Sequence, residues 1–148
     1  FLESDLPVES LTVMMQKEVA DRLVAKNHTK DYSSITLAVA IEGVAKVARG
    51  IPKEVFIPQP KVDSALVHIE IDRNKIQPEI KGELKKLVRA SFAMRRKTIL
   101  NNLANVYNLS KEKISEILIV SGINPIQRAE EISLEEYIRI VEKMEEEK

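Results

Sequence analysis

Pro58 and Pro60 stand two residues apart in the stretch 55–65, VFIPQPKVDSA, and they leave its backbone little choice. Each proline fixes φ and removes a donor, which excludes the stretch from a helix interior and from a central strand. Each also pushes the residue before it, Ile57 and Gln59, towards extended geometry. The outcome is a stiff, extended loop with Phe56 near one end and Lys61 near the other. Residues 65–71 then alternate in the manner of a strand. A rigid loop that presents an aromatic ring and a cation suits a flat, anionic ligand, such as a nucleotide base with its phosphate. The competing reading is a proline-stiffened connection whose Phe56 packs into the core, as most loop aromatics do.

Composition narrows the classes. The 148 residues, 44% hydrophobic and 31% charged, suit one ordinary globular domain or one and a half small ones. With no cysteine, disulfides, thiolate metal sites and cysteine nucleophiles are excluded together. His28 and His68 are the only histidines, too few for a histidine-rich metal site, so no metal is expected. No apolar run approaches the roughly 20 residues that span a bilayer, and the first residues lack the basic flank of a signal peptide. A cytoplasmic protein without a membrane partner is expected. Residue 1 is a Phe, so a preceding segment is expected as well.

The net charge of zero is unevenly spread. Residues 79–106 hold seven cations (Lys81, Lys85, Lys86, Arg89, Arg95, Arg96 and Lys97) against two carboxylates, a net charge of +5. Such a segment is a candidate polyanion surface. The acidic residues 130–148 read as a solvated helix face.

Hydrophobic period sets the remaining elements. Residues 11–15 form a short apolar run of β-forming type, followed at once by a helical pattern over 16–25 with Val19, Leu23 and Val24 on one face. Strand then helix without a linker is an α/β signature. Residues 27–31 are a polar turn, in which His28 is read as a loop residue and not a ligand. Ser33 or Ser34 caps a second helix through Ile35, Leu37, Ala38 and Ile41, ended by Gly43. Residues 44–50 alternate as a strand with Lys46 and Arg49 towards solvent, and pair antiparallel with 65–71. His68 falls mid-strand and is read as a packed or edge histidine. The polar, proline-terminated stretch 72–78 is the expected boundary, dividing the chain into 1–72 and 73–148. Beyond it the period is helical: 79–92, 95–107, 111–120 capped by Ser110 and closed by Gly122, and 134–147 opened by a capping box at Ser133 and Glu136. The expected second part is a bundle of four short-connected helices.

The four glycines, Gly43, Gly50, Gly82 and Gly122, lie far apart, so neither a dinucleotide fingerprint nor a phosphate-binding loop is present. No carboxylate pair and no Ser/His/Asp grouping stands out. The one dense polar group is Arg95, Arg96 and Lys97 with Asn101 and Asn102 a turn later. Guanidinium groups there suit phosphates, and the amides suit sugar or base edges. A solvated helix face is the other reading.

The proline loop, the 95–102 cluster and residues 123–137 (INPIQRAEEISLEEY) follow one another in an order and spacing that closely resemble the C-terminal half of the small-subunit ribosomal RNA adenine dimethyltransferases. That family is related to the erythromycin-resistance methyltransferases. Residues 14–23 (MMQKEVADRL) are similar to the strand and helix just past the family's catalytic motif. The tail motif, with Asn124, Pro125, Arg128, Ala129, Glu130 and Ser133, favours the housekeeping branch over the resistance branch.

The resemblance implies the C-terminal part of a Rossmann-like methyltransferase sheet followed by a small helical domain. It implies methyl transfer from S-adenosylmethionine to the exocyclic amines of two adjacent adenines, within small-subunit rRNA or an immature small ribosomal subunit. Phe56 matches the aromatic that stacks on the flipped adenine, a base that needs a fixed π face once out of its stack. Lys61 matches the cation of the same loop; Arg95, Arg96 and Lys97 match the basic patch, with Asn101, Asn102 and Arg128 counted beside them. The family's glycine-rich cofactor loop, acidic ribose ligand and Asn-Leu-Pro-Tyr motif are not found here. This chain is therefore expected to be part of the enzyme and inactive alone, with another segment or a second chain supplying the N-terminal half. A non-catalytic RNA-binding or ribosome-assembly module is the alternative. A sheet missing its first strands is also expected to leave an open apolar edge.

Overall fold

The computed structural model describes residues 7–146. Its elements are β1 (Ser10–Gln16), α1 (Lys17–Leu23), α2 (Ser34–Glu42), β2 (Gly43–Ile51), β3 (Ser64–Ile71), α3 (Pro78–Ser91), α4 (Ile99–Val106), α5 (Lys111–Val120) and α6 (Leu134–Glu146). Short 3-10 turns lie at Lys53–Val55 and Ala129–Glu131. The architecture is α/β, a small antiparallel sheet and six helices. The opening residues 1–6, and Glu147 at the end of the last expected helix, lie outside the described residues.

The strand order is β1-β3-β2, antiparallel throughout. The expected pair of β2 with β3 is present, and β1 joins the other side of β3 through the register Val13 to Val67. Alternation along β3 sends Ala65, Val67 and Ile69 to a buried face and Ser64, Leu66, His68 and Glu70 to the opposite one. Ala20 and Leu23 of α1, with Val39 of α2, cover the buried face. Register slips between Val47 and Arg49, a bulge on the edge strand β2. Lys46 and Arg49 are exposed as expected, but so are Val44 and Val47, so the strand does not alternate between a buried and a solvent face. His68 bonds Thr12 Oγ1 through Nδ1 at 2.9 Å; it is neither in the core nor at an edge, but half-buried on the outer face of the central strand.

The second cluster joins Leu84, Leu87 and Val88 of α3, Ile99 and Leu103 of α4, Ile114, Ile117 and Leu118 of α5, and Tyr137, Ile140 and Val141 of α6. Helices of 8 to 14 residues do not persist alone in water. Burial of these side chains, at about 1.5–3 kcal/mol each, holds them together.

Helix α2 belongs to both clusters. Leu37 and Ile41 sit in the bundle cluster and Val39 in the sheet cluster. The third side of the helix stays open, with Ile35 and Ala38 exposed, so α2 serves as the joint between the two clusters without being enclosed by them. Tyr32, just before α2, also joins the bundle and donates its hydroxyl to the Ile132 carbonyl at 2.6 Å.

Three local expectations are corrected. Gly43 does not end α2 in a left-handed cap; its φ of 175° is extended, and it opens β2 directly. Glycine is required there because a Cβ would collide with the Glu70 carbonyl oxygen. The helix expected over 95–107 begins only at Ile99, because Thr98 is its cap: Thr98 is extended, and its Oγ1 accepts the Asn101 N–H at 3.2 Å. The helical period expected over 95–107 puts Val106 on the same stripe as Ile99 and Leu103, yet at the last residue of α4 it is exposed.

The other termini follow their signals. Ser110 Oγ accepts the Lys113 N–H at 3.1 Å, and Ser133 and Glu136 cap one another's backbone reciprocally. Gly122 takes a φ of 84°, with Ile123 N–H donating to the Leu118 carbonyl at 2.9 Å, the glycine-closed helix end the sequence predicts.

Candidate nucleic-acid interface

The proline loop leaves β2 at Pro52 and returns at Ser64, pinned at its base by Asp63. The Asp63 carboxylate accepts the Lys53 N–H at 2.9 Å, and the Asp63 carbonyl accepts the Lys17 N–H at the β1–α1 junction, also at 2.9 Å. Above that base the Ile57–Pro58 peptide is cis, and residues 57–59 are exposed. Phe56 is half-buried and belongs to neither hydrophobic cluster, so its ring is not a core residue. Its neighbours Val55 and Ile57 are exposed, Ile57 to 99%. Lys61 is exposed and lines a broad, open hollow beneath the loop, together with Lys17, Lys30, Lys53 and Asp21.

Arg95, Arg96 and Lys97 stand in the turn between α3 and α4 instead of on a helix, all exposed. Asn102 forms that turn from beneath. Its side-chain amide donates to the Ser91 carbonyl at 2.9 Å and to the Met94 carbonyl at 3.0 Å, and its Oδ1 accepts the Met94 N–H at 3.1 Å. Asn102 is 1% exposed, so the contact to sugar or base expected of it is not available. A buried amide that satisfies three backbone groups is held there by the cost of leaving them unpaired. Asn101 is half-buried.

The basic segment 79–106 is smaller as a surface than its charge count. Lys81 and Lys85 reach the buried carboxylate of Glu42 at 2.8 and 3.0 Å, across the joint between α3 and α2. Burial pushes the Glu42 carboxyl up, but hydrogen bonds from the two lysines and their charges outweigh it and hold the group below its ordinary value. Lys86 lies over the Tyr107 ring, 5.0 Å from its centre, while burial and the charge of Glu83 push the Tyr107 hydroxyl up to about 12. The exposed cations that remain are Arg89, Arg95, Arg96 and Lys97.

The tail motif is mostly consumed inside the molecule. The Gln127 carbonyl accepts the Ile99 N–H at 2.7 Å and the Pro125 carbonyl the Leu100 N–H at 3.3 Å, which closes the N-terminus of α4. Asn124 and Gln127 brace each other through side chain and backbone. The Ala129 carbonyl accepts the Tyr137 hydroxyl at 2.9 Å. Arg128 alone of the motif's charged residues points a cation outward; it is exposed, and its backbone N–H is held by Glu131 at 2.7 Å.

One cation that the sequence did not single out stands among these. Lys30 is exposed in the 27–31 turn, and the Arg95 guanidinium donates to its carbonyl at 3.4 Å. Only the fold makes the two neighbours, since that turn is fixed by bonds to Glu130 and Glu131, about a hundred residues along the chain.

The fold defines a class before it defines a family. The structure superposes on the crystal structure of a dimethyladenosine transferase from Plasmodium falciparum with a TM-score of 0.78, at 20% identity, over 98% of this chain and 61% of that one. It matches the 23S rRNA methyltransferase ErmE with a TM-score of 0.70, also at 20% identity, over 97% and 57%. The α/β fold is thus one shared with methyltransferases. Residues 1–146 match the ribosomal RNA adenine dimethylase model, and the chain belongs to that family. Ribosomal RNA small subunit methyltransferase A of Bacillus thuringiensis and of Bacillus anthracis are each 45% identical to it over 141 residues, 92% of this chain and 48% of theirs. The chain therefore spans about half the length of these curated relatives.

The family uses S-adenosylmethionine. The described residues do not fit that group. Gly43 is pressed against the Glu70 carbonyl, Gly82 lies within α3, Gly50 is on an edge strand and Gly122 closes α5, so no glycine turn opens a helix beside a strand end. No helix among the described residues is long and apolar enough to cross a membrane.

Proposed function

We propose that this chain is the target-docking part of an rRNA adenine dimethyltransferase, acting in the cytoplasm on small-subunit rRNA within an immature small subunit. In this reading residues 1–72 are the C-terminal part of a Rossmann-like methyltransferase domain, and residues 73–148 are a helical RNA-docking domain. S-adenosylmethionine and the groups that position the attacked amine belong to another segment of the polypeptide or to a second chain. Phe56 stacks on the adenine held out of its helix, and Lys61 meets the phosphate beside it. Arg95, Arg96, Lys97 and Arg128 hold backbone phosphates, with Asn101 at a sugar or base edge. Asn102 serves by keeping the 92–98 turn in shape.

The observation that carries this reading is the state of Phe56: an aromatic outside both cores, on a loop stiffened by two prolines and tied down at its base. A ring whose only task was packing would sit in one of the two clusters. The test is methylation by the protein that joins this chain to the segment holding the cofactor, with Phe56→Ala against wild type. Loss of one stack is worth ~1–3 kcal/mol, so kcat/KM should fall about 5- to 150-fold while the melting temperature stays put. A sharp drop in melting temperature, with methylation following only the folded fraction, would return Phe56 to the core and sink the assignment.

A further inference from the structure

We infer that Lys30 is a phosphate-binding residue that links Lys61 beneath the proline loop with Arg95 and Arg128 at the bundle in one RNA path. The inference rests on the RNA-docking reading above and adds a residue that neither the loop nor the 95–97 cluster contains.

Lys30 lines two separate hollows. One lies under the proline loop and includes Lys53, Lys61 and Asp63. The other lies at the tail turn and includes His28, Ile126, Arg128, Glu130 and Glu131. Lys30 and its neighbouring turn form the ridge between them, and the Arg95 guanidinium leans onto that ridge through the Lys30 carbonyl. An RNA strand that followed both hollows would have to pass this side chain.

The ridge is held in place. His28 takes a left-handed φ of 72°, a region few side chains enter without support. Its N–H donates to the Glu130 carbonyl at 2.8 Å, and Asn27 Nδ2 reaches the Glu131 carbonyl at 3.5 Å. Thr29 Oγ1 closes the turn onto the Lys26 carbonyl at 2.6 Å. These bonds fasten the turn to the same 3-10 segment that follows Arg128, which fixes the spacing of Lys30 and Arg128.

Ion pairing leaves Lys30 available for that role. In the hollow under the loop, Asp21 is paired with Lys17 at 2.9 Å and Glu18 with Arg22 at 2.9 Å, while the Asp63 carboxylate is taken by a backbone N–H. Lys30, Lys53 and Lys61 face Asp31, Glu54 and Asp63 there, so the hollow as a whole carries no excess of positive charge. Lys30 itself, however, forms no ion pair among the described residues. An exposed ammonium with no partner, fixed between two other cations, fits a phosphodiester oxygen, which needs a point charge and no particular plane. At the tail turn Arg128 lines the same hollow as Lys30, with Glu130 and Glu131, and the Glu131 carboxylate accepts the Arg128 backbone N–H.

Titration of a labelled single-stranded oligoribonucleotide against the chain over a series of salt concentrations tests this. Each lost phosphate contact lowers the steepness of log affinity against log salt by about 0.7 to 1. Lys30→Gln should lower the slope by that amount and weaken binding several-fold at low salt. Lys30→Arg should restore both, and neither should shift the melting temperature, since only the Lys30 backbone is bonded. Arg128→Gln and Lys61→Gln serve as references on either side. If those two lower the slope and Lys30→Gln does not, the ridge is bypassed and the inference falls while the docking reading stands. If wild-type binding is absent or indifferent to salt, both fall together. A lowered slope that Lys30→Arg fails to restore would point to a disturbed turn and also overturn the inference.

Discussion

The tail turn at 124–133 and the proline loop at 52–63 carry similar ingredients, and they use them in opposite ways. Both combine proline (three in the loop, one in the tail turn) with polar side chains and a strongly exposed isoleucine. In the tail turn the polar groups face inward: carbonyls of Pro125 and Gln127 close α4, and those of Ala129 and Ile132 take the hydroxyls of Tyr137 and Tyr32. In the loop the internal bonds stop at the base, with Asp63 and the turn Lys53–Val55, and the apex has none among the described residues. A motif dense in polar residues thus says little until its hydrogen bonds are followed. Where they are spent on backbone the motif is architecture, and where they are left open it is a surface.

The sharpest way to break that distinction is at Asn102, a polar residue of the basic cluster that is spent inside. Asn102→Leu fills the site but strips the Ser91 and Met94 carbonyls and the Met94 N–H of their partner. Unpaired buried groups cost about 1–3 kcal/mol each, less where water reaches them, so stability should fall by about 2–4 kcal/mol in urea unfolding. RNA affinity should fall as well, because the 92–98 turn carries Arg95, Arg96 and Lys97. Unchanged stability with lost affinity would make Asn102 a ligand after all.

Glu42 sets a smaller test on the joint between sheet and bundle. Glu42→Gln leaves Lys81 and Lys85 without their carboxylate, although both lysines keep partial access to water, so about 1–3 kcal/mol is expected at neutral pH. The folded carboxyl titrates below its unfolded value of about 4.3. Its contribution is therefore complete above about pH 4.3 and fades as pH falls through the lowered folded value. The gap between wild type and Glu42→Gln in urea midpoint should be widest at pH 7 and close towards pH 2. A gap that stays constant through that range would mean the loss comes from packing and not from charge.

Much of this was legible in the sequence for physical reasons. The prolines at 58 and 60, the alternation of 65–71 and the caps at Ser110, Ser133 and Gly122 are local constraints, and the fold obeys each of them. The failures are all matters of distance. Thr98 beat Arg95 as the start of α4 because Gln127 and Pro125 supply carbonyls to that helix end, and nothing near Arg95 announces them. The charge count of 79–106 overstated the surface because Glu42, on another helix, claims two lysines. The apolar run of α2 signalled burial but not that two cores would share it. In the candidate site, Phe56 and Lys61 were singled out by the proline loop that holds them and Arg128 by the resemblance of its motif. Lys30 was not, since its neighbours are assembled only by tertiary contact.

The smallest expected effect tests what holds each region. Ile57 at the loop apex is 99% exposed and Ile126 in the tail turn is 72% exposed, so neither side chain gains much by leaving water. If the loop is stiff because its prolines fix the backbone, and the tail turn because its polar groups are bonded, truncating either isoleucine should hardly matter. Ile57→Ser and Ile126→Ser should each change stability by no more than about 0.5 kcal/mol, the ordinary range for surface substitutions. The two regions should differ only in company: next to Ile57 stands a ring outside both cores, next to Ile126 a backbone whose carbonyls are already taken. Paired urea melts of the two variants decide it. A loss above about 1 kcal/mol at Ile57 would mean that the apex packs against the body, and the open loop on which the role of Phe56 depends would no longer be open.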